Sequence, residues 1–219
     1  MVEVRAERAS KPPRVFLASR NVKKLEEMRR ILAEHMTDIE VLGLDDVTAY
    51  AEPAETEPSF AGNALIKARA GLVATGLPSL ADDSGLCVDA LNGMPGVLSA
   101  RWSGRSKSSD VDAANNDLLL AQLSDVPDER RGAHFACAVA FVHRTDDGAA
   151  EHVVHGEMPG RVIREQRGSG GFGYDVLFCP DGEQRTSAEL PADEKDAVSH
   201  RGKALREIAP LVVDVLRGT

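Results

Sequence analysis

Residues 15 to 35 read VFLASRNVKKLEEMRRILAEH, and the fold class turns on this stretch. Val15 to Ala18 is a short apolar run of strand length. Val22, Leu25, Met28 and Leu32 then recur at helical spacing, and Asn21 stands where an N-cap belongs. The opening unit is therefore strand, turn, helix.

The pattern continues outward. Ile39 to Leu44 reads as a second strand, followed by an acidic loop over residues 45–58 that carries Glu52, Glu55 and Glu57. Ser59 caps a helix that Gly76 ends. LPSLADDSGL, residues 77–86, reads as a strand running into a turn, with a further strand over Gly85 to Leu91. Residues 95–110 have the Gly, Pro and Ser density of a loop, and Ser109 to Ser124 has helical spacing. Residues 133–144 and 151–164 form a hairpin through Asp146-Asp147-Gly148. VLFCP, residues 176–180, is a short strand. Ser199 caps a final helix, which Pro210 should kink or restart. Alternating strands and helices followed by a β-rich middle predict an α/β protein with a mixed sheet.

Composition narrows the function classes. The chain has 219 residues, a net charge of -9, 42% hydrophobic and 28% charged residues, and 4% aromatics. No basic face of the kind that displaces phosphate counterions is visible, so stable nucleic-acid binding is not expected. Residues 1–13, ending at Pro12-Pro13, read as a disordered leader without the apolar core of a signal peptide, and residues 14–219 as one domain. No apolar run reaches membrane-spanning length. Cys87, Cys137 and Cys179 are widely spaced, form no C-x-x-C, and read as small buried hydrophobes of a reducing, cytoplasmic compartment.

Four short motifs carry chemistry. Ser19-x-Asn21-x-x-Lys24 sits where a strand hands over to a helix, and free N–H groups there attract anions. Lys23 and Lys24 lie in the first helical turn, where the macrodipole disfavours cations by about 0.3–1 kcal/mol each. A bound phosphate would reverse that sign; an ordinary capped surface helix is the alternative. Asp82 and Asp83 point to opposite faces if they lie in a strand. At a turn, one could face a metal, and oxygen ligands without histidine favour Mg²⁺. A solvated Asp-Ser-Gly turn accounts for the same residues. Gly168 to Gly173 matches G-x-G-x-x-G, but strand-like residues follow it, which excludes a dinucleotide fingerprint. Lys195 with His200 and Arg201 again places cations near a helix start.

The order of these segments is more specific than any one of them. S-x-N-x-x-K, E-T-x-x-S-F-x-x-N-A, ADDSGL, PG-x-x-SARWSG, GGFGYD and EK-x-x-x-SHRG follow one another from Val15 to the C-terminal helix. This series resembles the inosine/xanthosine triphosphate pyrophosphatase family. The resemblance implies an elongated mixed β-sheet flanked by helices, in two lobes around a central cleft, and a homodimer. It implies hydrolysis of ITP, dITP or XTP to the monophosphate and pyrophosphate with Mg²⁺. Ser19, Arg20, Asn21 and Lys24 would hold the triphosphate, Glu55 and Asp83 the metal, and Asp83 assisted by Asp82 the attacking water. Ser84 would contact substrate, and Phe172, Gly173, Tyr174, Asp175, Lys195, Ser199, His200 and Arg201 would surround the base. Glu57 and Pro58, Met158 and Val176 depart from the residues common in that family. A pyrophosphatase for modified pyrimidine or methylated nucleotides and a nucleotide sensor without turnover are the competing classes.

Overall fold

The structure is a computed structural model that describes residues 12–104 and 110–218. Residues 1–11 of the expected leader, and Ser109 at the expected start of a helix, lie outside the described residues. The elements are β1 (Arg14–Leu17), α1 (Val22–His35), β2 (Glu40–Leu42), α2 (Phe60–Thr75), β3 (Ser79–Val88) and α3 (Val111–Gln122). The long hairpin β4 (Gly132–Thr145) and β5 (Gly148–Val162) follows, then β6 (Phe178–Pro180), α4 (Ala192–Val198) and α5 (His200–Gly218). One six-stranded sheet has the order β2-β1-β3-β4-β5-β6. β1 runs parallel to β2 and β3, and every later pairing is antiparallel. The mixed α/β sheet expected from the sequence is the observed architecture.

Strand alternation sorts the core. Val15, Leu17 and Leu80 pack with Met28, Ile31 and Leu32 of α1 and Leu205, Ile208 and Val212 of α5. Phe16, Ala18 and Ala81 pack on the other face with Ala64, Ala68 and Leu72 of α2. A third cluster joins Leu86 and Val88 to Leu119 and Leu123 of α3 and to Phe135, Met158 and Phe178. Met158 and Val176, two of the departures from the family pattern, both pack in this apolar cluster.

The helix ends follow the expected caps. Asn21 Oδ1 accepts from Lys24 N at 3.2 Å, and Ser59 Oγ accepts from Gly62 N at 3.1 Å. Gly76 ends α2 at φ 71°, the left-handed conformation that glycine adopts without steric cost. Ser199 Oγ accepts from Gly202 N at 2.9 Å and so caps α5.

Several expectations need correction. Residues 77–91 do not form a strand, a turn and a second strand. β3 runs unbroken from Ser79 to Val88 and is paired with β4 along its whole length, from Ser79↔Val142 to Val88↔Ala133. Val176 belongs to a 3₁₀ turn over Gly173–Val176, so the following strand begins only at Phe178. Gly96–Arg101 is a 3₁₀ helix within the expected loop, and β2 is shorter than expected. α5 continues through Pro210. Proline inside a helix costs about 3 kcal/mol, but Leu205, Ile208, Val212 and Leu216 are buried on this helix. Each such side chain contributes about 1.5–3 kcal/mol, and Pro210 itself lies on the exposed face.

The connections place a cleft. From β1, α1 leads to β2 on one side, while α2 returns the chain to β3 on the other. Ligands collect at such a switch point, beyond the carboxyl ends of the diverging strands. β1 pairs with β3 only at Phe16↔Ser79 and Leu17↔Leu80. From Ala81 to Ser84, β3 therefore has β4 on one side and an open flank on the other, before Leu86 and Cys87 meet the 94–101 segment.

Candidate active site

A cleft of about 360 Å³ opens at this flank, lined by Ser19, Arg20, Asn21, Lys24, Glu52, Glu55, Lys67, Asp82, Ser84, Asp112, Phe172, Gly173 and Tyr174 among others. β3 is central to it. Because Asp82 and Asp83 lie in a regular strand, they point to opposite faces, and each meets a different helix.

Asp82, 2% exposed, faces α1 and α5. Its Oδ2 accepts from Lys24 Nζ at 2.8 Å, Arg201 Nε at 3.1 Å and Ser84 Oγ at 3.4 Å. Burial alone would raise its pKa, but Lys24, Arg201 and Lys67 outweigh it and hold the carboxyl well below the usual carboxylate range. Asp82 Oδ1 is buried without a partner. Arg201 also donates to Glu27 Oε2 at 2.5 Å and to Ser84 Oγ at 3.0 Å. Glu27, Arg201, Asp82 and Lys24 thus form one buried charge chain linking α1, α5 and β3.

Asp83 faces α2. Its Oδ2 accepts from Asn63 Nδ2 at 3.1 Å, and its Oδ1 lies 3.5 Å from Lys67 Nζ. Burial pushes its pKa up; Lys67 opposes this, and the Glu55 charge adds to the rise. Lys67 Nζ also donates to Glu55 Oε1 at 2.7 Å, and Arg101 stands 3.4 Å from Glu55 Oε2. Burial works against ionisation of Glu55, yet Lys67, Lys24 and Arg101 lower its pKa. Glu57, one of the family departures, donates its backbone N–H to Asn63 Oδ1 at 2.9 Å, tying the acidic loop to the side chain that holds Asp83.

Glu55 and Asp83 therefore converge on the Lys67 ammonium. An oxygen-only pair with no histidine is a donor set for a hard divalent ion, and Mg²⁺ characteristically takes one or two carboxylates with substrate phosphates completing its shell. Lys67 provides the balancing charge at this spot. The residues fit Mg²⁺ on that chemistry. No group of three metal-ligating side chains occurs among the described residues.

The opposite wall is the glycine-rich turn. Asp175 Oδ2 accepts from Phe172 N at 2.8 Å and from Lys195 Nζ at 2.5 Å. Lys195 Nζ and the Arg201 guanidinium lie 5.4 and 5.8 Å from the Phe172 ring centre, within cation–π reach. From α3, Asp112 accepts from Gly173 N at 2.8 Å and Asn116 donates to Gly173 O at 3.0 Å. Tyr174 is buried, its hydroxyl donating to Ser99 O at 2.9 Å. Lys23, disfavoured at its helix start, donates across the cleft to Gly171 O at 2.5 Å. Arg20 pairs with Glu52.

Two expected base contacts stand elsewhere. His200 is buried and stacked on Phe135 at 4.9 Å, and burial together with Arg201 and Lys195 pushes its pKa well below 6.5. Ser199 is fully buried; its hydroxyl caps α5 and lies 3.4 Å from Glu27. Neither lines the cleft, whereas Arg201 reaches it through Asp82 and Ser84. Sequence reasoning missed Glu27, Asn63 and Lys67. The available signal was spacing: Asn63 and Lys67 are four apart on α2, and Glu27 is three from Lys24 on α1, each pair on one helical face.

Known proteins resemble this chain over most of its length. The Ham1 family model matches residues 15–211. A dITP/XTP pyrophosphatase of Nocardia farcinica is 60% identical over 198 residues, covering 90% of this chain and 93% of that protein. One of Frankia alni is 58% identical, covering 93% and 98%. The crystal structure of a nucleoside-triphosphatase, a dITP/XTP pyrophosphatase from Mycobacterium abscessus, is 56% identical with a TM-score of 0.70, covering 90% and 99%. A HAM1 protein from Coxiella burnetii has a TM-score of 0.79 at 39% identity, covering 92% and 98%. With a match from the first strand into the last helix, this chain belongs to the Ham1 family.

Proposed function

We propose that the chain hydrolyses non-standard purine nucleoside triphosphates (dITP, ITP and XTP) to the monophosphate and pyrophosphate. The names of its relatives support the substrate class. The observation that carries the reading is the division of labour across β3: Asp82 locked by Lys24 and Arg201, Asp83 held by Asn63 and Lys67 beside Glu55.

In this reading a water oxygen bonds to the α-phosphorus as the bond to the bridging oxygen breaks and pyrophosphate leaves. Asp83 takes the water's proton. Lys24 and Lys67, with the N–H groups at the start of α1, meet the charge of the phosphates. When bound by Glu55 and Asp83, Mg²⁺ would supply Lewis-acid neutralisation of the phosphate oxygens. Phe172 offers the base a stacking surface, and Lys195 and Arg201 bring donors toward the oxygen at C6 of hypoxanthine or xanthine. Adenine, with an amino donor there, would be mispaired, and sites built on such bonds reject the wrong partner by about 10⁴–10⁵-fold.

The Mg²⁺ requirement, the homodimer and a cytoplasmic location belong to the same proposal. Buried free thiols on Cys87, Cys137 and Cys179 support a reducing compartment. No helix among the described residues is long and apolar enough to cross a membrane. The test is pyrophosphate release from ITP, XTP, dITP, GTP and ATP with and without Mg²⁺. Release from the first three substrates above the last two, and only with metal, is expected. Orthophosphate as the product, or equal turnover of ATP, would refute the reading.

A further inference from the structure

At the far end of β5 from the catalytic cleft's strand flank lies a second cavity, of about 310 Å³, whose lining includes Arg131, Arg161, Arg164 and Arg167 but only Asp128 and Glu165 as carboxylates. In a chain of net charge -9, such a concentration of guanidinium groups is against composition. Surface arginines usually stand beside carboxylates, and here the pairing is incomplete.

Arg131 is 2% exposed and spends its donors on backbone: Nε on Val162 O at 2.8 Å, Nη1 on Leu123 O at 2.7 Å and Nη2 on Ile163 O at 3.1 Å. It holds the end of β5 in place, but carbonyl dipoles do not cancel its charge, and burial and neighbouring Arg164 lower its pKa. The Arg161 side chain has no hydrogen-bond or carboxylate partner among the described residues, while its backbone pairs with β4 and β6. Arg167 gives Nη2 to Gln184 O at 2.9 Å, stands 3.9 Å from Glu189, and keeps its Nε buried without a partner. Only Arg164 is closely paired, with Asp128 at 2.7 Å. A buried donor left unmatched is costly, and the planar guanidinium fork matches phosphate oxygens in bidentate fashion.

We infer that this arginine-lined cavity is a second anion site, which takes a small phosphate-bearing ligand separately from the catalytic cleft. The Arg161 guanidinium supplies the free donors, and Arg167 and Arg131 the fixed positive background. The ligand could be a free phosphate or pyrophosphate, or the phosphate of a nucleotide; the recognising chemistry is the same. Arg167 lies five residues before Phe172, at the root of the glycine-rich turn. Its backbone is fixed by Arg167 N donating to Val176 O at 2.9 Å and by Thr186 Oγ1 donating to Arg167 O at 2.9 Å.

Titration calorimetry on the full chain tests this. Pyrophosphate, orthophosphate and inosine monophosphate are titrated in turn into Lys24→Ala, Lys67→Ala double-variant protein, in which the catalytic cleft has lost both of its phosphate-facing lysines. One anion-binding event per chain should survive there, and the ligand giving it tells the inorganic source from the nucleotide one. In Arg161→Gln and Arg167→Gln proteins that event should weaken about tenfold or more, the loss expected for a charge-assisted bond. The Arg161 side chain bonds nothing else in the described fold and the substitution leaves its backbone pairing in β5 intact, so Arg161→Gln should keep the native circular dichroism spectrum. Absence of any binding in the double-lysine variant, unchanged affinity in both arginine variants, or an equal heat from sodium chloride at matched ionic strength would overturn the inference.

Discussion

Asp82 and Asp83 are neighbours with the same side chain and different tasks, because a strand turns consecutive residues to opposite faces. Asp82 neutralises two cations, the buried Arg201 and the half-buried Lys24. Its removal leaves Lys24 and Arg201 without their shared carboxylate, and breaking a buried ion pair costs about 3–5 kcal/mol. Asp82→Asn should therefore lower the midpoint of urea unfolding markedly. Asp83→Asn keeps a hydrogen-bonding side chain between Asn63 and Lys67 but cannot take a proton. It should fold normally and lose about 10²–10⁴-fold in turnover, the usual worth of a positioned base. Equal loss of stability in the two variants would contradict this division. His200 supplies a pH signature. Burial keeps it neutral in the fold, with a pKa well below 6.5, while in the unfolded chain it protonates near 6.5. The unfolded state then binds more protons as pH falls, so its stabilising contribution is complete above about 6.5 and is lost below it, by up to about 1.4 kcal/mol per pH unit. Unfolding midpoints measured between pH 7.5 and 5 should fall less steeply for His200→Gln than for the parent protein.

At the scale of elements, caps were legible and the central strand was not. Asn21, Ser59, Gly76 and Ser199 announce helix ends through local hydrogen-bond chemistry that needs no tertiary partner. Asp82-Asp83-Ser84-Gly85 has the composition of a turn, and only non-local facts make it strand: ten paired positions with β4 and cations arriving from α1, α2 and α5. Gly85 itself is explained by close approach, since a Cβ there would run into Gly96 O and Ser99 Oγ. Gly156 plays the same part under α5. A Cβ at Gly156 would collide with the His200 carbonyl at the start of α5, the helix that delivers Arg201. Gly156→Ala should cost about 1–3 kcal/mol as an overpacked contact and reduce turnover as well, read by parallel unfolding and kinetic measurements. A variant with native stability and native kinetics would show that α5 is not seated by that contact.

Across the whole molecule, the alternation of strands and helices was enough for the mixed sheet, because apolar periodicity reports which face is covered. Partners contributed from distant helices were beyond it. Lys67 and Glu27 look like solvated polar positions on amphipathic helices until the fold brings α2 beneath Asp83 and α1 beside Arg201. The switch point between β1 and β3 is what joins them: it opens one flank of β3 and puts the start of α1, the acidic loop and the glycine-rich turn around it. Metal dependence belongs to this scale, since Glu55 and Asp83 come from separate segments. Glu55→Gln should raise the Mg²⁺ concentration needed for half-maximal turnover while leaving the unfolding midpoint within about 1 kcal/mol of the parent, as expected for a partly exposed pair. An unchanged metal requirement would remove Glu55 from the ion's site. The most direct measurement of the central claim is product analysis of ITP hydrolysis by the parent protein and by Asp83→Asn under saturating Mg²⁺. Inosine monophosphate and pyrophosphate in equal amounts from the parent, with neither from the variant, is the predicted result; orthophosphate from the parent, or undiminished pyrophosphate from the variant, would contradict it.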